Sequence, residues 1–173
     1  MEKKFILVTG GARSGKSGFS EELGKKLGRS LVYIATMEGR DREMKERIKK
    51  HRSSRGGEWK TFEVPLQVLS VLKEQDKQGK TILIDCLTLF VSNLMLKEYS
   101  EKKIESIIRE LALLAKKAKA SVVIVTNEVG MGLVPPYKMG RKFRDLQGRA
   151  NKIAAEAADE VYFMVAGIPL KIK

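Results

Sequence analysis

Short apolar runs alternate along this chain with longer stretches in which apolar positions recur every three or four residues. Phe5-Ile6-Leu7-Val8-Thr9, closed by glycines, reads as a buried strand. Over 15–27, Phe19, Leu23 and Leu27 share one stripe and Gly28 follows, a helix with its stop. Leu31 to Ala35 predicts a second strand, and 38–53 a helix with Met44, Ile48 and His51 in phase. A short strand over Thr61–Val64 precedes Pro65 and a helix over 66–76. The remainder reads as strand 81–85, helix 87–97, helix 101–119, strand 121–126, helix 142–158 and strand 161–165. Leu170-Lys171-Ile172 can fold back on that last strand through Gly167-Ile168-Pro169. Alternating strands and helices, with strands apolar throughout, predict an α/β fold: a mostly parallel sheet covered by helices on both faces, with a short antiparallel C-terminal edge strand. Ligands of such sheets gather beyond the carboxyl ends of the strands.

The length, 173 residues, suits a single domain over 1–173. Hydrophobic residues at 43% and charged residues at 32% exclude a wholly disordered chain. No apolar run nears the roughly 20 residues of a membrane span. The five apolar or small residues before Gly10 are too few for a signal peptide, and one cysteine, Cys86, cannot form an internal disulfide. A cytoplasmic setting is expected. The net charge of +13 invites anionic partners, although a lysine-rich surface of a heat-adapted protein would give the same count. Residues 40–60 hold nine Lys/Arg against four acids and 138–152 hold six against one, which favours two anion-facing segments.

Gly10-Gly11-Ala12-Arg13-Ser14-Gly15-Lys16-Ser17 fits the phosphate-binding pattern G-x-x-x-x-G-K-[ST], with a strand before it and a helix after it. Glycines let the backbone wrap its N–H groups around phosphate oxygens, and the helix start adds its positive end. Lys16 neutralises the outer phosphates, and the Ser17 hydroxyl can ligate Mg²⁺. Asp85 ends an apolar strand, where a carboxylate serves either as the second metal-side contact or as a turn residue. His51, the only histidine, stands among Arg47, Lys49, Lys50, Arg52 and Arg55. It reads either as a half-buried packing residue or as a nucleophile or base kept unprotonated by its cations. Asn127-Glu128, followed by Gly130 and Gly132, occupies a strand's carboxyl end, where substrate contacts or a plain turn would fit.

Together these motifs resemble the bifunctional adenosylcobinamide kinase / adenosylcobinamide-phosphate guanylyltransferase family of cobalamin assembly. The resemblance rests on Gly10–Ser17, Tyr33-Ile34-Ala35-Thr36, Arg47-Ile48 with His51 and Arg55, Trp59–Glu63, Asp85-Cys86-Leu87-Thr88, Asn127 to Pro135, and Phe143-Arg144-Asp145 with Gly148 and Asn151. It runs from about Phe5 to Lys173. The phosphate loop is common to many ATPases; Thr126–Gly132 and the block from His51 to Glu63 are more specific. Phe90 stands where many members have Trp, and Lys50 where some have a second histidine.

The resemblance implies a RecA-like P-loop fold, commonly a homotrimer, with ATP and GTP as substrates and Mg²⁺ as cofactor. It implies γ-phosphoryl transfer to adenosylcobinamide, then GMP transfer from GTP onto the resulting phosphate through a guanylyl-histidine at His51. It carries nucleotide contacts to Gly10, Gly11, Ala12, Arg13, Ser14, Gly15, Lys16, Ser17, Ile34, Ala35, Thr36, Arg52, Ser53, Ser54, Arg55, Glu63 and Asp85, with Ser17 and Asp85 on the metal. No base for the hydroxyl proton follows from it; Glu128 is a candidate by placement alone. Two other readings stand beside this one: a RecA-like nucleic-acid-binding ATPase, and a small-metabolite kinase lacking the transferase step. The basic segments hold only Trp59 and Phe143 as aromatics, no stacking platform for nucleic acid, so no nucleic acid partner is expected. A plain kinase needs no histidine at position 51.

Overall fold

The computed structural model describes residues 2–39, 46 and 57–173. Among them, seven strands form one sheet: β1 (Phe5–Gly10), β2 (Ser30–Ala35), β3 (Trp59–Glu63), β4 (Lys80–Asp85), β5 (Ser121–Val125), β6 (Glu160–Val165) and β7 (Ile168–Lys171). Their order is β3-β2-β4-β5-β1-β6-β7, parallel throughout except for β7, which runs antiparallel to β6. Five helices connect them: α1 (Lys16–Leu27), α2 (Val68–Gln75), α3 (Leu87–Leu96), α4 (Glu101–Lys117) and α5 (Lys138–Ala157). The expected fold class is thus observed.

The period of two in each strand sorts the core into two layers. Phe5, Leu7, Val32, Ile34, Ile82, Ile84, Val122 and Ile124 face one side, where α2, α3, α4 and α5 pack. Ile6, Val8, Leu31, Tyr33, Leu83, Val123 and Val125 face the other, where α1 contributes Phe19, Leu23 and Leu27. α4 shows the stripe most plainly: Ile104, Ile108 and Leu111 are buried, and Ser100 caps it by accepting from the Lys103 amide at 3.3 Å.

Most predicted boundaries fall within a residue or two of the observed ones, and the exceptions have local causes. Helix α5 begins at Lys138 rather than 142, directly after Pro135-Pro136-Tyr137. Its first turn lacks apolar periodicity, so the pattern alone hides it, although prolines commonly precede a helix start. The return to β7 turns at Ala166-Gly167, with φ of 50° and 85°, and not at Gly167-Ile168-Pro169. Two positive φ values give the tight hairpin whose twist matches its strands. Pro169 then lies inside β7, tolerable because that strand is the sheet's edge. The helix expected over 38–53 falls outside the described residues, apart from Glu38 and Gly39, which are not helical, and the helical Glu46.

Glu160 ties β1, β6 and β7 together. It accepts from Lys4 at 2.6 Å and from the Tyr162 hydroxyl at 2.8 Å, and pairs with Lys171 at 3.2 Å. The hydrogen bond from Lys4 is the largest influence and holds its carboxyl down, to about 2, against burial, which pushes it up. A carboxyl depressed in the folded state stabilises above its unfolded pKa and ceases to do so as pH falls through the folded one. Urea unfolding should therefore show a stability gap between the parent and Glu160→Gln that is full at neutral pH and closes between pH 4.5 and about 2. A gap of constant size down to pH 2 would contradict this.

Candidate functional site

The carboxyl ends of β1, β2, β3 and β4 and the segment after β5 bring the sequence motifs to one edge of the sheet. The phosphate-type loop leaves β1 at Gly10, whose φ is 147° and whose added Cβ would meet the Met164 carbonyl oxygen at 2.5 Å, so no other residue fits there. Arg13 and Gly15 also take left-handed φ values, 57° and 90°, and Gly15 caps α1. The loop is buttressed from the hairpin: the Gly167 amide donates to the Ser14 carbonyl at 3.2 Å. The β6–β7 turn therefore helps to set the curvature of the loop.

Lys16 is buried, 7% exposed, with its ammonium folded back onto the Gly11 carbonyl and 3.5 Å from the Ser14 hydroxyl. Burial lowers its pKa from the ordinary value, with Cys86 and Asp85 opposing. An anion entering the loop would give that desolvated charge its natural partner. Next along α1, Ser17 donates to Asp85 Oδ2 at 3.0 Å, and the Tyr33 hydroxyl donates to the same oxygen at 2.6 Å. Tyr33 is itself buried, its ring set edge-on to Trp59 at 5.9 Å. Sequence patterning assigns Tyr33 only to the core of a strand; its orientation of Asp85 needs the pairing of β2 with β4 to be seen.

Next to Asp85, Cys86 is buried and its thiol is pushed up to about 12, chiefly by desolvation, which makes it no nucleophile at neutral pH. Thr36 lies at the end of β2 with every polar group engaged internally. Its amide donates to the Asp85 carbonyl at 3.0 Å, its carbonyl accepts from Asn93 at 2.8 Å, and its hydroxyl bonds both backbone groups of Cys86 at 2.8 Å. Thr36 shapes the edge and has no polar atom left to offer outward. Ile34 and Ala35 are buried strand residues, and Glu63 pairs in register with Ala35 at the end of β3. His51, Arg52, Ser53, Ser54 and Arg55 lie outside the described residues.

Between the loop and Asp85 stands a buried polar network whose linkage the sequence does not announce. Thr126 donates to Asn151 Oδ1 at 2.7 Å and accepts from Gln147 Nε2 at 2.9 Å. Its one hydroxyl hydrogen being used, Thr88, 3.3 Å away, must donate to it, and Thr88 in turn accepts from the Asn127 amide at 2.8 Å. Asn151 Nδ2 reaches the Asn127 carbonyl at 3.1 Å and Glu128 Oε1 at 2.8 Å. Thr9 donates to that same Oε1 at 2.9 Å, and the Glu128 amide donates to the Gly10 carbonyl at 3.1 Å. Thr88, Thr126, Asn127, Glu128 and Asn151 stand among the motif residues that carry the resemblance, though nothing there links them; for Gln147 the available signal was helical phase, four residues before Asn151 on the buried face of α5.

The basic segment 138–152 was expected to face anions, yet five of its six cations are engaged within the chain. Arg141 donates to the Pro135 and Pro136 carbonyls, Arg144 pairs with Asp145, and Lys142, Arg149 and Lys152 pair with Glu101, Glu105 or Glu156. Among the described residues only Lys138 of that set makes no such contact. No cluster of three or more His, Cys, Asp or Glu suited to a metal occurs among the described residues, and no helix there is long and apolar enough to cross a membrane.

Comparison with known proteins gives one consistent result. The family model described as cobinamide kinase / cobinamide phosphate guanyltransferase matches residues 6–172. The bifunctional adenosylcobalamin biosynthesis protein CobU of Escherichia coli (strain K12) is 40% identical over 182 aligned positions, covering 97% of this chain and 99% of that one. The CobP protein of the same description from Pseudomonas aeruginosa is 36% identical over 167 residues, covering 96% of each. Among solved structures, the RadB recombinase superposes with a TM-score of 0.52 at 16% identity, over 92% of this chain and 73% of that one. A prototypical ATPase from the type III secretion system of pathogenic bacteria gives 0.51 at 13% identity, over 94% and 51%. At such identity the likeness is one of fold, and it is the RecA-like fold that the family resemblance implies.

The network makes a stability prediction. Thr126→Val keeps the shape but removes a hydroxyl with three partners: Asn151 Oδ1 and Gln147 Nε2 keep only their bond to each other, and the buried Thr88 hydroxyl hydrogen loses its acceptor. Chemical denaturation should show a loss of about 2 kcal/mol, the usual cost of buried groups left unpaired. A loss below about 0.5 kcal/mol would mean that water satisfies the network.

Proposed function

The chain belongs to the cobinamide kinase / cobinamide phosphate guanyltransferase family, and from that membership we propose that its one domain performs both reactions at one phosphate loop, in the cytoplasm. The observation that carries this reading is the loop itself: within a chain matched by that family model over residues 6–172, Lys16 and the Ser17–Asp85 pair converge at its mouth.

The kinase step moves the γ-phosphoryl of ATP or GTP to the hydroxyl of adenosylcobinamide. The loop amides and Lys16 cradle the phosphates and offset the charge that gathers on the leaving oxygen. Ser17 and Asp85 would hold Mg²⁺. The fit is good in kind and in spacing: both offer hard oxygens, and their 3.0 Å separation is close to that of adjacent ligands at about 2.0–2.1 Å from one ion. When bound, the ion would supply neutralisation of the charge that develops on the phosphates. Tyr33 orients Asp85 for that task. Ile34, Ala35 and Thr36 form the wall of the nucleotide site, with Glu63 and Arg52–Arg55 as further contacts.

In the guanylyl step, a nitrogen of His51 attacks the α-phosphorus of GTP. The nitrogen–phosphorus bond forms as the bond to the bridging oxygen breaks, and pyrophosphate leaves with the electron pair. An oxygen of adenosylcobinamide phosphate then displaces His51 and takes the GMP. Two displacements spare two polyanions from reacting directly. Support for His51 comes from the family resemblance, from its being the only imidazole, and from its flanking cations. No nucleic acid is part of this reading. The assembly is a homotrimer, as the resemblance implies, and large apolar side chains left in water on the isolated chain agree: Met131, Leu133, Val134 and Tyr137, with Ile168 and Leu170 on β7.

Four measurements check this. GTP labelled at the α-phosphorus should label the protein in an acid-labile, alkali-stable bond, whereas γ-labelled GTP should leave no stable label. His51→Ala should abolish the label and guanylyl transfer while phosphoryl transfer continues at least in part. Undiminished label in that variant would remove His51 as the nucleophile. Lys16→Ala should lower both reactions, by on the order of 10²–10³. Light scattering should give three times 19.4 kDa, about 58 kDa; a 19.4 kDa species at working concentration would refute the trimer.

A further inference from the structure

A phosphoryl acceptor that is a hydroxyl must lose its proton, and the described carboxylates at the site edge differ sharply in their freedom to take it. Asp85 Oδ2 already accepts from Ser17 and Tyr33 and faces the metal position. Glu63 ends β3, four strands from β1 in the order β3-β2-β4-β5-β1, hence about 19 Å away at the usual strand spacing. Glu128 follows β5, the strand lying between β1 and β4, so the chain delivers it between the phosphate loop and Asp85.

Its setting is that of a held group with one oxygen left over. The Glu128 amide is tied to the Gly10 carbonyl at 3.1 Å, which fixes its backbone to the loop's first residue. Oε1 accepts from Thr9 at 2.9 Å and from Asn151 at 2.8 Å, and Asn151 is itself locked by Thr126 and Gln147. Oε2 accepts from no described residue, and the side chain is only partly buried. Neighbouring alternatives fail on chemistry: Cys86 is a buried thiol pushed up to about 12, and the Thr, Asn and Gln side chains of the network are not bases.

We propose that Glu128 Oε2 is the general base of the phosphoryl-transfer step, an assignment that rests on the kinase reading above. The acceptor hydroxyl passes its proton to Oε2 as its oxygen bonds to the γ-phosphorus. The bond from that phosphorus to the bridging oxygen breaks, and the nucleoside diphosphate leaves with the electron pair. Glu128 afterwards releases the proton to water. Thr9 and Asn151 are positioning residues, holding Oε1 and leaving Oε2 without a partner among the described residues. The guanylyl step needs no such base, because its acceptor is a phosphate that is already anionic.

That asymmetry supplies the test. Glu128→Gln keeps an Oε1 that can accept from Thr9 and Asn151, keeps the side-chain volume, and replaces Oε2 with an amide that cannot accept a proton. With cobinamide as acceptor, kcat for phosphorylation should fall by about 10²–10⁴, the usual worth of a general base, with KM changed by no more than a few fold. With cobinamide phosphate supplied directly, guanylyl transfer and α-label incorporation should stay within about threefold of the parent, less than about 1 kcal/mol of barrier, because that step takes no proton at Glu128. A kinase kcat within that same margin of the parent would overturn the proposal. So would equal losses of phosphorylation and labelling, which would make Glu128 a structural member of the network. A parent protein with neither activity would instead refute the functional reading itself, so the two failures are distinguishable.

Discussion

Everything at the working edge depends on how β1 and β5 are held side by side at their carboxyl ends. Their backbone ladder continues one step past the strands, with the Thr126 amide donating to Val8 and the Glu128 amide to Gly10. Side chains from α3 and α5 then lock the same point: Thr88 from one, Gln147 and Asn151 from the other. A hydrogen bond in this dry setting contributes little net, but a missing one costs about 1–3 kcal/mol. The network therefore selects one geometry for the loop more than it adds stability. Gln147 Oε1 is its one buried oxygen without a partner among the described residues.

That constraint explains why one small chain can serve two nucleotide reactions. On the proposed reading, a rigid loop start, a buried Lys16 and an oriented Asp85 would recognise a polyphosphate without regard to which phosphorus will react. The difference between the steps then lies in what approaches: a hydroxyl that must be deprotonated, or an imidazole that need not be. Among the described residues, the cations of α5 have a smaller part in ligand attraction than the net charge of +13 suggests. The Arg149 pairs with Glu101 and Glu105 clamp α5 to α4 instead of attracting a ligand, and exposed pairs of this kind are worth about 0–1 kcal/mol each.

Much of this was legible in the residues because it is local. Apolar runs such as Phe5–Val8 specify buried parallel strands, and glycine spacing with Lys16 and Ser17 specifies the loop, since both follow from neighbours in sequence. The Thr9–Glu128–Asn151 linkage was not legible, because its members come from β1, the segment after β5 and α5, and only the sheet order brings them together. Tyr33 was hidden for the same reason: nothing in a strand pattern says that its hydroxyl meets a carboxylate on the next strand. The Ala166-Gly167 turn differs from the expected one because Ile168-Pro169 resembles loop sequence while an edge strand accepts it.

The central claim is that a single phosphate loop, the one carrying Lys16, serves both reactions. Inhibition by a β,γ-imido analogue of ATP tests it most directly, measured against phosphorylation and against guanylyl transfer in the same preparation. The account predicts competition with the nucleotide in both assays, with one inhibition constant. Guanylyl transfer that proceeds undisturbed while the analogue saturates the kinase would contradict it and require a second nucleotide site.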